Sequence, residues 1–353
     1  MRLPVPIIVG PTAGGKTALA IDLVELLRAR GVEAEVVSAD SALIFRDMQV
    51  GTAKPTQAER RGVRHHLIDM VDPQSTETFT VHDWLVAATG SMEEMRSRGV
   101  LPVVVGGTNL YVKGLLEGMF EGPGADAGLR ATLAELGPEA LRARLERVDP
   151  EAASRIHAND LRRTIRALEV FELTGTPISS HQRQWIERSS APSLPRPGVE
   201  GGAEGGAAAV GVDPRYVLIG LEWSIESINR RINARVRHMM AAGLEAEAHG
   251  LWSAGRLGPQ ACEALGYKQL IAAFHEAGSR GLPASPLVES LREDAVEKIK
   301  IETRRFAKNQ RTWLRRLRMS AVKQLWIKAD DEPVDGWASR ALGVVLDTAP
   351  GVR

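Results

Sequence analysis

The chain has 353 residues, 44% of them apolar and 25% charged, with a formal net charge of +1 and one cysteine. That size and mixture describe a soluble globular protein of one large or two ordinary domains, and the lone Cys262 excludes a disulfide within the chain. No run reaches the roughly 18 apolar residues of a membrane helix, and no charged-then-apolar leader precedes "PVPIIVG", so the expectation is a cytoplasmic protein with no membrane partner.

In chain order, "PIIVG" is a short apolar run ending in Gly and predicts a buried strand. From Thr17 to Arg30 the residues Leu19, Leu23, Leu26 and Leu27 recur at helical spacing, and Gly31 stops the pattern. "AEVVSA" predicts a second strand, with a turn at Asp40-Ser41. "VLPVVVGGT" predicts another buried strand after the helix-like segment from Val81 to Arg98. Strands alternating with helices imply a parallel sheet with crossover helices, and such sheets bind ligands at the C-terminal ends of their strands. Residues 10–17, 38–41 and 106–108 meet that condition.

From about Phe120 to Gly175 the strand signals give way to charged helical patterns. The following "SSAPSLPRPGVEGGAEGGAAAVGVDP" is too rich in Gly, Ala and Pro to bury a core and reads as a flexible surface loop near 190–212. "RYVLIGLEW" restores a strand, and mostly helical sequence runs on to about Met319. The expected organisation is an α/β core begun by residues 1–119, a helical insertion at 120–212, and a return to the core with basic helices at 213–353.

The segment Gly10-Pro11-Thr12-Ala13-Gly14-Gly15-Lys16-Thr17 fits GxxxxGK[ST] between a strand and a helix. Its glycines let backbone N–H groups curl round phosphate oxygens, Lys16 adds a point charge, and the Thr17 hydroxyl suits Mg²⁺. The loop predicts phosphate binding and leaves the reaction open. No Asn-Lys-x-Asp guanine reader is present, and the candidate strand "VLPVVVGG" ends without the carboxylate an ATPase would place there. Asp40 falls at a strand's C-terminal end, facing the loop. It either closes an Asx turn or caps a helix, or it acts on what the loop holds; position alone does not choose. His65 and His66 are neighbours, so on a strand they point to opposite faces and cannot share a metal easily; a structural role is expected.

"EKIKIETRRFAKNQRTWLRRLR" carries about nine Lys/Arg against two Glu. Ile299, Thr303, Phe306, Gln310, Trp313 and Leu317 would form its buried stripe, leaving Arg304, Lys308, Arg311 and Arg315 on a basic face. A second basic cluster, Arg162, Arg163 and Arg166, lies in the insertion. Charge of nearly one sign favours an anionic polymer over a merely solvated face.

Taken together, "GPTAGGKT", "SADSALIFRDMQVGTAKPT", "HHLID", "VVVGGTNLY", "RIHANDLRRTIRALEV", "GLEW", "RINARVRHMMAAGLEAE", "ALGYKQ" and "TRRFAKNQRTWLRR" resemble the motifs of the tRNA dimethylallyltransferases, in the family's order from about residue 7 to 318. The resemblance implies a P-loop NTPase-like parallel sheet with a helical insertion. It also implies transfer of a dimethylallyl group from dimethylallyl diphosphate to N6 of adenosine-37, in the anticodon stem-loop of tRNA, by a monomer using Mg²⁺. The loop would then hold a leaving diphosphate, with no phosphoryl group transferred. By the same resemblance Asp40 is the base, with Thr108 beside it; residues 10–17 and Arg235 hold the diphosphate, and Thr17 holds Mg²⁺. The implied tRNA contacts are Asp40, Ser41, Ala42, Leu43, Thr108, Arg130, Arg162, Arg163, Thr164, Ile165 and Arg166. They continue with Glu263, Ala264, Leu265, Gly266, Tyr267 and Lys268, then Lys308, Asn309, Gln310, Arg311, Thr312, Trp313, Leu314 and Arg315. Gly14 stands where the family usually has Ser, Phe45 replaces a common Tyr, and Asn309 replaces a basic residue. No Cys/His zinc-finger pattern follows residue 318, which implies the bacterial type. The rival readings are an adenylate isopentenyltransferase, a small-molecule kinase and a non-catalytic RNA-binding protein.

Overall fold

The computed structural model describes residues 3–119, 122–182 and 213–347; the Gly/Ala-rich stretch near 190–212 lies almost wholly outside them. The chain divides into two compact units, residues 1–116 with 212–353, and residues 117–211.

The first unit is built on a six-stranded sheet of β1 (Val5–Val9), β2 (Ala34–Ser38), β3 (His65–His66), β4 (Leu101–Gly106), β5 (Asp213–Glu222) and β6 (Val322–Lys328). The spatial order is β3-β2-β4-β1-β5-β6, with all neighbours parallel. Every residue of β1 and β4 is buried, as a parallel sheet covered on both faces requires. One face packs under Leu19, Leu23 and Leu27 of the helix Lys16–Arg28 and under Trp337 and Leu342 of the helix Val334–Leu346. The other packs against Trp84, Ala88, Met92 and Met95 of the helix Val81–Ser97. Burying each of those leucines contributes about 1.5–3 kcal/mol. The chain leaves β1 toward β2 and leaves β4 toward β5, so the connections part between these adjacent strands. A crevice opens there at the carboxyl ends.

Helices Ile225–Ala241, Leu244–Ser253, Tyr267–Ser279 and Glu289–Leu317 form a further core around Ile228, Leu244, Tyr267, Phe274 and Ile299. Beyond Met319, where the helical reading of the sequence ends without naming a strand, the chain adds edge strand β6 and the helix Val334–Leu346. β6 alternates weakly because most of its residues are half-buried, which blurs the period-two signal. Among the described residues no helix is long and apolar enough to cross a membrane.

The second unit packs helices Ala127–Glu135, Gly137–Val148, Pro150–Arg155 and Leu161–Thr174 around Leu133, Leu141, Leu145, Leu168 and Val170. Its buried carboxylate, Glu169, accepts from Arg130 Nε at 2.8 Å, from Arg166 Nη1 at 2.6 Å and from the Asp126 N–H at 2.7 Å. Burial works against ionisation, yet the two guanidinium groups and the N–H hold this carboxyl below the usual carboxylate range.

Candidate active site

Residues 10–17 turn from β1 into the first helix. Ala13 and Gly15 take positive φ values of 60° and 91°, and the Gly14 N–H donates to the Pro11 carbonyl at 3.1 Å. Three distant side chains fix the loop from outside. Trp223 Nε1 donates to the Gly14 carbonyl at 3.0 Å, and Arg231 Nε to the Ala13 carbonyl at 2.8 Å with its guanidinium 4.5 Å over the Trp223 ring. Gln310 accepts from the Thr12 N–H at 2.8 Å and donates to the Gly107 carbonyl at 2.9 Å. It thereby ties together the loops that follow β1 and β4. With its N–H taken, Thr12 meets the cavity through its side chain.

One cavity lies over these strand ends, and Thr12, Lys16, Thr17, Asp40 and Arg235 all line it. Lys16 Nζ donates to the Pro11 carbonyl at 2.8 Å. Burial pulls its pKa down to about 8, against the opposing pull of Asp40 and with a smaller push from Arg235. Burial also holds Arg235 below the usual guanidinium range, against the pull of Asp40; its Nη2 donates to the Thr52 carbonyl at 3.4 Å. Two half-buried cations and one carboxylate leave the cavity net positive, a fit for an anion.

Asp40 closes a turn and also lines the cavity. Its Oδ1 accepts from the Ala42 N–H at 2.9 Å, closing an Asx turn, while the carboxylate lines the cavity. Thr108, after β4, accepts from the Ser41 N–H at 2.9 Å and donates to Ser41 Oγ at 3.2 Å, so it holds the turn that aims Asp40. Trp84 Nε1 anchors the last carbonyl of β2, that of Ser38, at 2.8 Å. Among the described residues no three His, Cys, Asp or Glu side chains converge as a metal cluster. Mg²⁺ does not need one, since it keeps several waters and takes one or two carboxylates plus substrate phosphates. The Thr17 hydroxyl and the Asp40 carboxylate, hard oxygen donors on one cavity, fit that ion, and the buried Ser38 Oγ beside them has no partner.

The loop that closes the cavity's far side is held by Glu247. Its carboxylate accepts from the Gln49, Val50 and Gly51 N–H groups at 2.9–3.0 Å and from the Tyr267 hydroxyl. A Cβ on Gly51 would fall 2.3 Å from the Tyr267 ring, so only glycine passes there. Burial, then the bond to Glu247, raises the Tyr267 pKa far above the usual phenol range. Glu247→Ala leaves three N–H groups and a phenol unpartnered and is expected to destabilise the protein by about 2–4 kcal/mol. Urea unfolding monitored by tryptophan fluorescence checks it, and a loss below about 0.5 kcal/mol would refute the clamp.

The residues expected at RNA sort by exposure. Ser41, Lys308, Asn309, Thr312, Arg315, Arg162, Arg163, Glu263 and Lys268 are exposed. Glu263 and Lys268 pair at 2.5 Å, and Arg163 pairs with Asp160 at 3.2 Å. Ala42, Leu43, Ala264, Leu265, Ile165 and Arg311 are half-buried, as is Trp313, with Arg316 5.4 Å over its ring. Thr164, Gly266, Tyr267, Gln310 and Leu314 are buried, with Gln310 also in the cavity lining. Arg130 and Arg166 are engaged by Glu169. Phe306, expected in the buried stripe, is 40% exposed and lines the cavity, while Ala307 and Leu314 fill the stripe instead.

Thr52, to which sequence reasoning gave no role, lines the same cavity, as do Ser38 of the strand-end segment 38–41 and His65, for which a structural role was expected. The two histidines do part to opposite faces. His66 Nε2 meets Glu35 Oε2 at 2.6 Å, while His65 faces the cavity with Nδ1 2.9 Å from the Val63 carbonyl. Burial lowers the His65 pKa, against that carbonyl contact.

Comparison with known proteins agrees with this architecture. The family model described as IPP transferase matches residues 43–317. A tRNA dimethylallyltransferase of Shouchella clausii is 39% identical over 317 residues, covering 88% of each chain. That of Symbiobacterium thermophilum is 40% identical over 325 residues, covering 90% of this chain and 88% of its own. Among solved structures, a tRNA isopentenylpyrophosphate transferase from Bacillus halodurans superimposes with a TM-score of 0.62 at 32% identity, covering 98% of both chains. By sequence and by fold, the chain belongs to the IPP transferase family, and to its bacterial type.

Proposed function

We propose that this cavity carries out the family's reaction, transfer of a dimethylallyl group from dimethylallyl diphosphate to N6 of adenosine-37 in the anticodon loop of tRNA. One observation carries the assignment of roles: a carboxylate and two half-buried cations line the same cavity. A prenyl transfer needs both. The adenine N6 lone pair is delocalised into the ring, so attack requires a base at N6 and stabilisation of the leaving group. Asp40 takes the N6 proton as the N6–C1 bond forms and the C1–O bond to diphosphate breaks. Lys16, Arg235 and the loop N–H groups receive the negative charge that develops on the diphosphate. Thr108 keeps Asp40 aimed through Ser41. Thr17 would hold Mg²⁺, which when bound supplies further charge for the diphosphate. Reaching N6 requires the adenosine to leave its stack, and Phe306 on the cavity wall offers a face for it. One chain supplies every one of these groups, so the reading is of a monomer, and its single, half-buried thiol suits a cytoplasm.

Incubation with dimethylallyl diphosphate, Mg²⁺ and either unmodified tRNA or AMP, followed by mass analysis of nucleosides, tests the proposal. Prenylated adenosine in tRNA is expected. Prenylation of AMP alone, or stoichiometric ATP consumption with no prenyl transfer, would replace the reading with one of its rivals.

In the first unit the RNA grip is assigned to the exposed cations Lys308 and Arg315; in the second, Arg162 and Arg163 are the exposed cations. Replacing Lys308 and Arg315 by Ala is expected to flatten the dependence of log affinity on log salt by about 1.4–1.8, the loss of two phosphate contacts. Affinity for dimethylallyl diphosphate stays unchanged. Filter binding at four salt concentrations measures the slope, and an unchanged slope leaves this face merely solvated.

A further inference from the structure

Two polar atoms on the cavity wall have no hydrogen-bond partner: Ser38 Oγ and His65 Nε2, both buried. Their placement is not accidental to each other. β2 and β3 pair with Val36 opposite His65, and Ser38 is two residues beyond Val36, so all three side chains share one face of the sheet. That face is the one covered by Leu19, Ala20 and Leu23 of the helix whose first turn carries Thr17. His66, on the opposite face, has its partner in Glu35.

The chemistry of each atom is constrained. A carbonyl can only accept, so His65 Nδ1, 2.9 Å from the Val63 carbonyl, carries the ring hydrogen and Nε2 presents a lone pair. Ser38 Oγ can accept as well as donate. The side-chain bonds that Lys16 and Arg235 make run to the Pro11 and Thr52 carbonyls, and neither cation is a partner of Ser38 Oγ or His65 Nε2. Buried polar atoms without partners are rare and disfavoured unless a partner arrives. His65 Nε2 needs a donor and Ser38 Oγ can take one, and in the cavity that Thr17 also lines the strongest donor that substrate brings is water bound to a divalent cation. The adenine amino group donates too, but it is drawn to Asp40, two residues beyond the end of β2.

We propose that Ser38 and His65 bind the hydration shell of the divalent cation that enters with the diphosphate, each accepting from a cation-bound water. This rests on the reading that the loop takes a diphosphate with its cation. Groups in that position orient the ion without touching it, and removing one typically weakens metal binding 10–100-fold.

The test uses Mn²⁺ as probe with inorganic diphosphate, on the full chain, with free Mn²⁺ followed by electron paramagnetic resonance. Ser38→Ala and His65→Leu are each expected to weaken Mn²⁺ binding about tenfold, and His65→Gln, which keeps an acceptor, to recover most of it. The metal-free Ser38→Ala protein is expected to melt no lower than wild type, because the lost hydroxyl had no partner; that result separates a site defect from a folding defect. If both variants bind Mn²⁺ within twofold of wild type, the proposal fails, and a fall in turnover alongside would assign the two atoms to the adenine amino group. If wild type itself takes up no Mn²⁺ with diphosphate, the reading of the loop fails along with it.

Discussion

Asp40→Asn is expected to lower the single-turnover rate of prenyl transfer by about 10²–10⁴, the usual contribution of a positioned base, with tRNA affinity close to wild type. Asn is the informative replacement because its side-chain oxygen can still accept from the Ala42 N–H, as Asp40 Oδ1 does at 2.9 Å. The Asx turn and the Thr108–Ser41 bonds that aim it therefore survive. What is lost is the capacity to take a proton and the negative charge that shares the cavity with two cations. An alanine at the same position would lose the turn as well and confuse a displaced loop with a missing base. Rapid-quench measurement with saturating tRNA isolates the chemical step. A rate within a few-fold of wild type would remove Asp40 from the reaction and leave it as a turn residue.

Asp40 and the phosphate loop were legible in the sequence because their signals are local. A strand, a glycine-rich turn and a helix follow one another within residues 5–28, and Asp40 falls just past the next strand. The groups that make the loop a defined site were not legible, because they come from far along the chain. Gln310 lies 298 residues from Thr12, and Trp223 lies 209 from Gly14. Helical periodicity places Gln310 on a buried face and says nothing of what it meets there. The same limit misplaced Phe306: the stripe is set by neighbouring helices, and at this turn it passes through Ala307 while Phe306 opens onto the cavity. Charge counting could not tell the arginines of the insertion apart. Arg162, Arg163 and Arg166 look alike in sequence, yet a wholly buried carboxylate, Glu169, engages Arg166 and draws in Arg130. A buried acid within a charged helix carries no signature until the fold shows that no water reaches it.

Lys16→Ala is expected to lower kcat/KM for dimethylallyl diphosphate by about 10²–10³, the cost of losing a donor aimed at charge that develops on a leaving group. Wild type should also show a pH signature that the variant lacks. Burial holds the Lys16 pKa at about 8 in the free enzyme. A bound diphosphate stabilises the ammonium and raises that pKa. Below pH 8 the lysine is charged before and after binding, so it imposes no pH dependence. Above pH 8 the free enzyme must take up a proton to bind, and affinity falls by up to about tenfold per pH unit until the pKa of the complex is passed. The effect on folding has the opposite sign. The unfolded chain holds this proton up to the ordinary lysine value of 10.5, so the lysine's contribution to stability rises between pH 8 and 10.5. Ligand affinity falling while this contribution to stability climbs distinguishes a titrating lysine from general alkaline damage, which would lower both. Calorimetric titration of diphosphate at pH 7.5 to 9.5, in buffers of different ionisation enthalpy, counts the proton directly. An affinity that stays flat across that range would mean that Lys16 keeps an ordinary pKa and that its carbonyl contact with Pro11, rather than its burial, sets its charge.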